Sequence, residues 1–343
     1  MVDRRPWQRI VHAASDPFPH SFQMPKVSFI LPAYKRRFLE QAIASILAQT
    51  YRDFELVVVD DASPENLKEV IDGIHDDRLS YHRNQENIGG KDLAAAWNHA
   101  LEFATGEWGV LASDDDIYHP EYLQEMIALS EKYPAMDVFH CRSGNIDADG
   151  KMIGYGDSHA EYESCIEYLY FRGVKRYYQI APDFMFRIRT LRKIGGFISF
   201  PVGFFSDDAT WFALSKEHGI CCSPRLLFYM RQSGLNISSS KNYIKGKITA
   251  SFMFLEWFRN FTASIETHSQ FDKDFLTFIK KHHYKTIVNF VFRLLSEVGL
   301  VESFSIIKEL EFPNKAFRNL CIKSQLRRGI NKFIHFISFK RLW

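Results

Sequence analysis

Between Lys26 and Cys141 the sequence switches repeatedly between two hydrophobic patterns, and this alternation restricts the fold more than any other feature. Short apolar runs occur at VSFIL (27–31), FELVVV (54–59), LSYHR (79–83), WGVLAS (108–113) and DVFHC (137–141). Between them, apolar residues recur three and four apart, the spacing of a helix with one buried face. Leu39, Ala42, Ile43, Ile46 and Leu47 form one such face, and Leu67, Val70, Ile71 and Ile74 a second. Leu93, Trp97, Ala100 and Leu101 form a third, and PEYLQEMIALSEKY (120–133) supplies a fourth helix. Ser63 followed by Pro64 marks a helix start. Strands alternating with helices over short loops imply an α/β fold with a mostly parallel sheet flanked by helices.

In such sheets ligands bind outside the carboxyl ends of the strands. Pro32, Ala33 and Tyr34 follow the first strand, Asp60 and Asp61 the second, and Asp114, Asp115 and Asp116 the fourth. Five carboxylates therefore converge on one edge. Taken alone, each acidic group also reads as a turn or a helix cap. Three consecutive aspartates repel one another unless a cation sits among them. Glycine cradles for phosphate are missing: no GxGxxG follows the first strand, and NIGGKDL (87–93) has Gln85 and Asp92 where a P-loop needs Gly and Ser or Thr. DDDIYHPEYLQE lacks the alternating ligands and central Gly of an EF-hand. A hard divalent cation, Mg2+ or Mn2+, held by one or two carboxylates and by a diphosphate fits the pattern.

Composition narrows the classes further. The 343 residues are 46% hydrophobic and 24% charged, ordinary globular values, with a formal charge of +2. Residues 313–343 contain eight Lys or Arg and no Asp or Glu, which leaves the first 312 residues at −6. The acidic body argues against a nucleic-acid partner, and the tail suits an anionic surface. Five scattered cysteines without a CxxC pair fit reduced thiols rather than disulfides or zinc. No apolar run of transmembrane length occurs, and the N-terminus lacks an apolar signal region. The expected organisation is an N-terminal extension (1–24), a catalytic α/β domain (25–240) and a helical C-terminal region with a basic amphipathic tail (241–343).

PKVSFILPAYKRRFLEQAIASILAQTYRDFELVVVDDAS (25–63) resembles the opening of a family 2 glycosyltransferase with the GT-A fold. ENIGGKDLAAAWNHALEFATGEWGVLASDDDIYHPEYL (86–123) resembles its second block, ending in the DXD-type motif. IGGF (194–197), SDDATWFALSKEHG (206–219) and YMRQSGLNIS (229–238) are similar to its later signatures. The resemblance implies that Pro32, Ala33 and Tyr34 line a nucleoside pocket, and that Asp61, with Asp60 beside it, accepts from a uracil ring. Asn87 and Lys91 would sit near the nucleotide. Asp114 would contact the ribose, while Asp115 and Asp116 would reach a Mn2+ or Mg2+ bridging the diphosphate. Many members read D-x-D-D here and this chain has Ser113 in the first place, so the aspartate that touches the metal stays open. The implied reaction is inverting transfer of one sugar from a nucleotide-sugar, UDP-linked, to a hydroxyl of a glycan or lipid-linked glycan.

The general base is expected in FFSDDATWFAL, with Asp208 favoured over Asp207; the competing reading is a helix capped by Ser206 with acids in its first turn. His119 reads as a loop histidine or a metal ligand. Tyr162, Tyr168, Tyr170, Phe171, Tyr177 and Tyr178 read as core or as a sugar-stacking surface. Arg231 and Asn236 read as a clasp over the diphosphate or as plain loop. Ile330, Phe333, Ile334 and Ile337 fall at helical spacing beside Lys315, Arg318, Lys323, Arg327, Arg328, Lys332, Lys340 and Arg341. That stripe reads as a helix on an anionic membrane or as one packed on protein, giving a cytoplasmic protein or one peripheral on the inner membrane face. The rival functions are a nucleotide-sugar-binding protein without transfer and a sugar nucleotidyltransferase, which would want a glycine-rich loop where PAYKRRF (32–38) stands.

Overall fold

The computed structural model describes residues 26–234 and 240–340, of which 331–340 are described by backbone alone. The chain divides into two compact units, one made of Met1–Ser199 and Ser206–Ser233, the other of Phe200–Phe205 and Gly234–Trp343.

The first unit begins β1 (Val27–Ala33), α1 (Leu39–Leu47), β2 (Phe54–Asp60), α2 (Leu67–Asp72), β3 (Leu79–Arg83), α3 (Leu93–Leu101) and β4 (Trp108–Leu111). It continues with β5 (Ile117–Tyr118), α4 (Tyr122–Lys132), β6 (Val138–Ile146), β7 (Met152–Tyr155), β8 (Tyr162–Glu163) and α5 (Cys165–Tyr168). Then follow β9 (Phe184–Arg187), α6 (Ile188–Lys193), α7 (Ser206–Leu214) and β10 (Ile220–Arg231). The strands form one sheet in the order β3-β2-β1-β4-β9-β6-β10-β5, with β7 on β6 and β8 on β10.

The first four strands are mutually parallel, as the alternation predicts; β1, β2 and β3 end level at Ala33, Asp60 and Arg83, while β4 stops earlier, with Leu111 beside Ile30. β1 is buried along nearly its whole length because helices cover both faces. Phe29 at its centre meets Phe54 and Tyr118 edge-on, with ring centroids 5.7 and 5.1 Å apart. α1 buries Leu39, Ala42, Ile43 and Ile46. α2 starts at Leu67, later than the Ser63–Pro64 signal; the Ser63 hydroxyl instead donates to the Tyr34 carbonyl at 2.5 Å.

Beyond β4 the sheet turns mixed. β9 inserts antiparallel between β4 and β6, and β10 runs parallel to β6 but antiparallel to β5 and β8. Gly109 makes the insertion sterically possible, since a Cβ there would lie 2.5 Å from the Phe186 ring. β10 slips register twice against β6 between Ser223 and Phe228, around Pro224, which has no amide hydrogen for the ladder.

The second unit is helical: α8 (Ile244–Ala263), α9 (Gln270–Glu297), α10 (Leu300–Glu309) and α11 (Lys315–Lys340). Phe205 stacks on Phe254 at 4.6 Å and Phe258 on His283 at 3.6 Å. Phe317, Cys321 and Gln325 of α11 are buried, and Arg328 donates to the carbonyls of Leu295 and Val298, closing the end of α9. Lys315, Arg318, Lys323 and Arg327 are exposed, as is Ile330. The side chains of Lys332, Phe333, Ile334, Ile337 and Lys340, and all of Arg341, lie outside the described residues, as do residues 1–25. No helix among the described residues is long and apolar enough to cross a membrane.

Candidate active site

The β1 turn and the β4 loop are stitched together by Asp114. Its Oδ2 accepts from the backbone amides of Tyr34 and Lys35 at 2.8 and 2.7 Å. The Lys35 ammonium then reaches Asp115 Oδ2 at 2.8 Å and Asp114 Oδ1 at 3.3 Å. Asp116 faces inward: Ser113 donates to one of its oxygens, and the Arg231 amide donates to the other at 2.8 Å. All three aspartates are only 5% exposed. Burial, reinforced by the Asp115 charge, pushes Asp116 up to about 7. The departure at Ser113 thus has a structural use, because its hydroxyl partners the third aspartate.

Asp60 and Asp61 hold the neighbouring loops. Asp60 is fully buried and accepts from the Ser63 amide (2.8 Å), the Tyr81 hydroxyl (2.7 Å) and the Arg83 guanidinium. Asp61 Oδ1 accepts from the Asn84 side chain and the Ile88 amide at 2.7 and 2.9 Å. Its Oδ2 accepts from the Asn87 side chain and the Gly89 amide at 3.0 and 2.7 Å. Four donors fill a carboxylate's acceptor capacity, so a uracil N–H would have to displace one of them. Glycine at 89 eases this approach, since a Cβ there would stand 3.0 Å from Asp61 Oδ2, tighter than ordinary contact. Asn87 is committed to the loop, while Lys91 is exposed and pairs with Glu86 at 2.7 Å. Pro32 is partly buried, Ala33 fully buried and Tyr34 44% exposed at the same edge.

The second acidic cluster opens α7. Asp208 is 2% exposed and enclosed by Arg172, by Arg176 at 3.5 Å and by Gln179 at 3.4 Å. Arg172 comes from a single π-helical turn, Leu169–Val174, and also donates to the Tyr177 carbonyl at 2.8 Å. The two guanidiniums outweigh burial and hold Asp208 below its usual range. Asp207 is only partly buried; burial and the Asp208 charge push it up to about 6. Sequence reasoning favours Asp208 as the base, but the structure commits that carboxylate to an ion pair and leaves Asp207 with solvent access. Tyr178 donates its hydroxyl to Asn145 Oδ1 at 2.7 Å, within electrostatic reach of both Asp116 and Arg172.

Other candidates resolve differently. Arg231 does not close over the edge: it is 2% exposed, and its donors go to backbone carbonyls of Asp115 and Ala148 and to Gln41. Asn236 lies outside the described residues. His119 Nδ1 accepts from the Glu121 amide at 3.2 Å, a loop role. Tyr168 is core, whereas Tyr162 is 45% exposed. Arg172 and Lys35 are site residues that sequence reasoning misses; the KRR run is visible, but nothing in the sequence shows which of its side chains turns inward.

Residues 28–195 match the family described as Glycosyl transferase family 2. The EpsE protein of Bacillus subtilis is 36% identical over 113 residues, 32% of this chain and 40% of the relative. The GalNAc(5)-diNAcBac-PP-undecaprenol beta-1,3-glucosyltransferase of Campylobacter jejuni is 38% identical over 96 residues, 27% of this chain and 30% of the relative. The match therefore spans less than half the length of either relative. S. aureus TarS, residues 1–349, solved in complex with UDP-GlcNAc, superposes with a TM-score of 0.60 at 16% identity, covering 88% of this chain and 87% of that one. Its complex with UDP gives 0.57 at 15% identity, covering 93% and 92%. Sheet, helical layers and acidic edge together define a GT-A type fold. Residues 28–195 form a glycosyl transferase family 2 domain.

Proposed function

We propose that this protein transfers one sugar from a UDP-linked donor to a hydroxyl of a glycan or lipid-linked glycan, with inversion. The observation that carries the reading is the stitching of Tyr34 and Lys35 to Asp114 at the parallel edge, beside the loop that Asp61 holds. On this reading a nucleoside-sized surface (Pro32, Ala33, Tyr34, Asn87, Lys91) adjoins carboxylates suited to a metal diphosphate. The relatives support the substrate classes: TarS has been solved with UDP-GlcNAc, and the Campylobacter enzyme is named for a PP-undecaprenol acceptor.

The residues present fit a divalent cation. Among the described residues no group of three or more His, Cys, Asp or Glu is arranged to hold a metal; an ion that takes one or two carboxylates and completes its shell with phosphates and water does not need such a group. Asp115 is the carboxylate for this task, because its side chain meets an ammonium on a flexible stem. Asp116 would first have to release Ser113 and the Arg231 amide. A bound Mn2+ or Mg2+ would supply Lewis acidity toward the leaving diphosphate.

Asp114 would orient the ribose while Asp61 holds the loop against the base. The acceptor oxygen attacks the anomeric carbon, the bond from that carbon to the diphosphate oxygen breaks, and the hydroxyl proton passes to Asp207. A base near pKa 6 combines availability at neutral pH with proton affinity, and Asp208, held ionised by two arginines, keeps that affinity high. The basic residues of 313–343 would seat the protein on an anionic membrane near a lipid-linked acceptor.

The test is calorimetry of UDP with Mn2+, followed by a panel of nucleotide-sugars scored for metal-dependent hydrolysis. The parent should bind UDP and hydrolyse one donor slowly, and Asp115→Ala should lose metal-dependent binding while remaining folded. Unchanged affinity in Asp115→Ala would remove the metal assignment, and UDP binding without turnover of any donor or acceptor would favour a binding protein.

A further inference from the structure

Three consecutive basic residues follow β1, and they go to different places. Arg36 pairs with Glu69 at 2.9 Å, and Arg37 lies over the Phe38 ring at 4.8 Å. Lys35 alone of the three turns onto the acidic loop, at 2.8 Å from Asp115 Oδ2 and 3.3 Å from Asp114 Oδ1. Its backbone cannot follow its side chain away, because the Lys35 and Tyr34 amides are both bound to Asp114 Oδ2. The four-carbon stem can, since the side chain is about one-third exposed.

We propose that Lys35 is a resident cation that blocks Asp115 until the donor arrives, and then moves from the carboxylates to the donor's phosphates as the divalent ion takes its place. The inference rests on the metal-diphosphate reading of this edge. Ammonium and metal compete at Asp115: both seek the one carboxylate, and two cations on it repel strongly in a buried site. Without nucleotide, the displaced ammonium would give up two carboxylates for water, so metal alone binds weakly. With nucleotide present, phosphate oxygens receive the ammonium. Metal and nucleotide then favour each other reciprocally, as linkage requires. Lys35 positions the charges and takes no part in the proton transfer.

The experiment titrates Mn2+ against the full chain by electron paramagnetic resonance of free Mn2+, with and without UDP, for the parent, Lys35→Met and Lys35→Arg. Lys35→Met keeps most of the stem and removes the charge. It should bind Mn2+ alone about tenfold or more tighter than the parent and should bind UDP more weakly when no metal is present. Lys35→Arg, which retains a cation, should stay close to the parent in Mn2+ alone. Circular dichroism confirms that each variant is folded. Equal Mn2+ affinity for parent and Lys35→Met, or binding by neither, overturns the inference. If the Mn2+ contrast holds while UDP binds none of the three, the donor reading fails and the role of Lys35 as competitor stands. UDP–Mn2+ binding without the contrast keeps the donor reading and removes Lys35 from it.

Discussion

The guanidinium of Arg231 lies behind the acid whose backbone it holds: its Nε donates to the Asp115 carbonyl at 2.9 Å, and its amide donates to Asp116 Oδ1 at 2.8 Å. The remaining donors reach the Ala148 carbonyl and Gln41 Oε1, both at 2.9 Å, and the group stacks over Phe38 at 4.4 Å. A buried positive charge behind three carboxylates lowers their mutual repulsion without touching anything bound in front. Arg231→Ala should therefore destabilise the protein by about 3 kcal/mol, since it strands the buried Asp115 carbonyl and removes a charge that faces Asp115 and Asp116. Arg231→Lys should recover less than half of that, because one ammonium cannot replace a fork of donors. Denaturant unfolding measures both, and a loss under about 1 kcal/mol for Arg231→Ala would show that the loop stands without this support.

The two acids of α7 should separate by substitution. Asp207→Asn should keep UDP affinity and lose about two to four orders of magnitude in transfer rate. Asp208→Asn leaves Arg172 and Arg176 beside a neutral amide, so its principal effect should be a lower melting temperature, with activity falling as the protein loosens. A stable Asp208→Asn variant with no turnover, alongside a near-normal Asp207→Asn variant, would return the base to Asp208.

Asp207 also sets a pH limb. Its carboxyl is raised to about 6, so it is protonated and unable to accept a proton below that pH. Activity should rise with pH through about 6, and the limb should vanish in Asp207→Asn. Stability moves the other way. A carboxylate raised in the folded state contributes most below its unfolded value, about 3.9, and that contribution is lost as pH climbs through about 6. Asp207→Asn should thus melt above the parent at pH 7.5 and alongside it near pH 4. Scanning calorimetry at the two pH values checks this, and equal differences at both would detach the shift from Asp207.

For the tail, removing α11 is a poor test because Phe317 and Cys321 are buried within its unit. Replacing the exposed Lys315, Arg318, Lys323 and Arg327 by Gln leaves the packed face intact. Four charges at about 1 kcal/mol each near an anionic leaflet should shift vesicle flotation strongly toward the free fraction. Neutral vesicles should show no such shift. Equal flotation of parent and variant on anionic vesicles would remove the membrane role.

Much of the acidic edge is legible in the sequence because it follows from local pattern. Once VSFIL, FELVVV and WGVLAS are read as parallel strands, Ala33, Asp60 and Asp114 must share an edge, and they do. The order of the later strands is not legible: FMFR (184–187) is too short to announce that it will enter between β4 and β6. Charged residues are the other blind spot. Arg231 reads as a clasp over the diphosphate or as plain loop and Arg172 goes unread, since nothing in a linear sequence supplies the distant carbonyls and carboxylate that bury them. Asp208 misleads for the same reason: its place at a helix start suggests a base, and the arginines that neutralise it lie more than thirty residues upstream.

The late arrival of β10 has a consequence for how this protein is made. Its ladder closes on β6, β5 and β8, and its last residue supplies the amide that receives Asp116, 115 positions earlier in the chain. During synthesis the four parallel strands can pair as they emerge and bring Lys35 to the acidic loop, whereas Asp116 must wait for the Arg231 amide. Long-range closure of this kind is slow and leaves strand edges open in the meantime. A fragment cut to the family-matched segment, residues 28–195, would stop in that waiting state. It would keep every aspartate of the loop with Lys35 beside them, lack the strand whose amide holds Asp116, and offer the unpaired side of β6 to other chains.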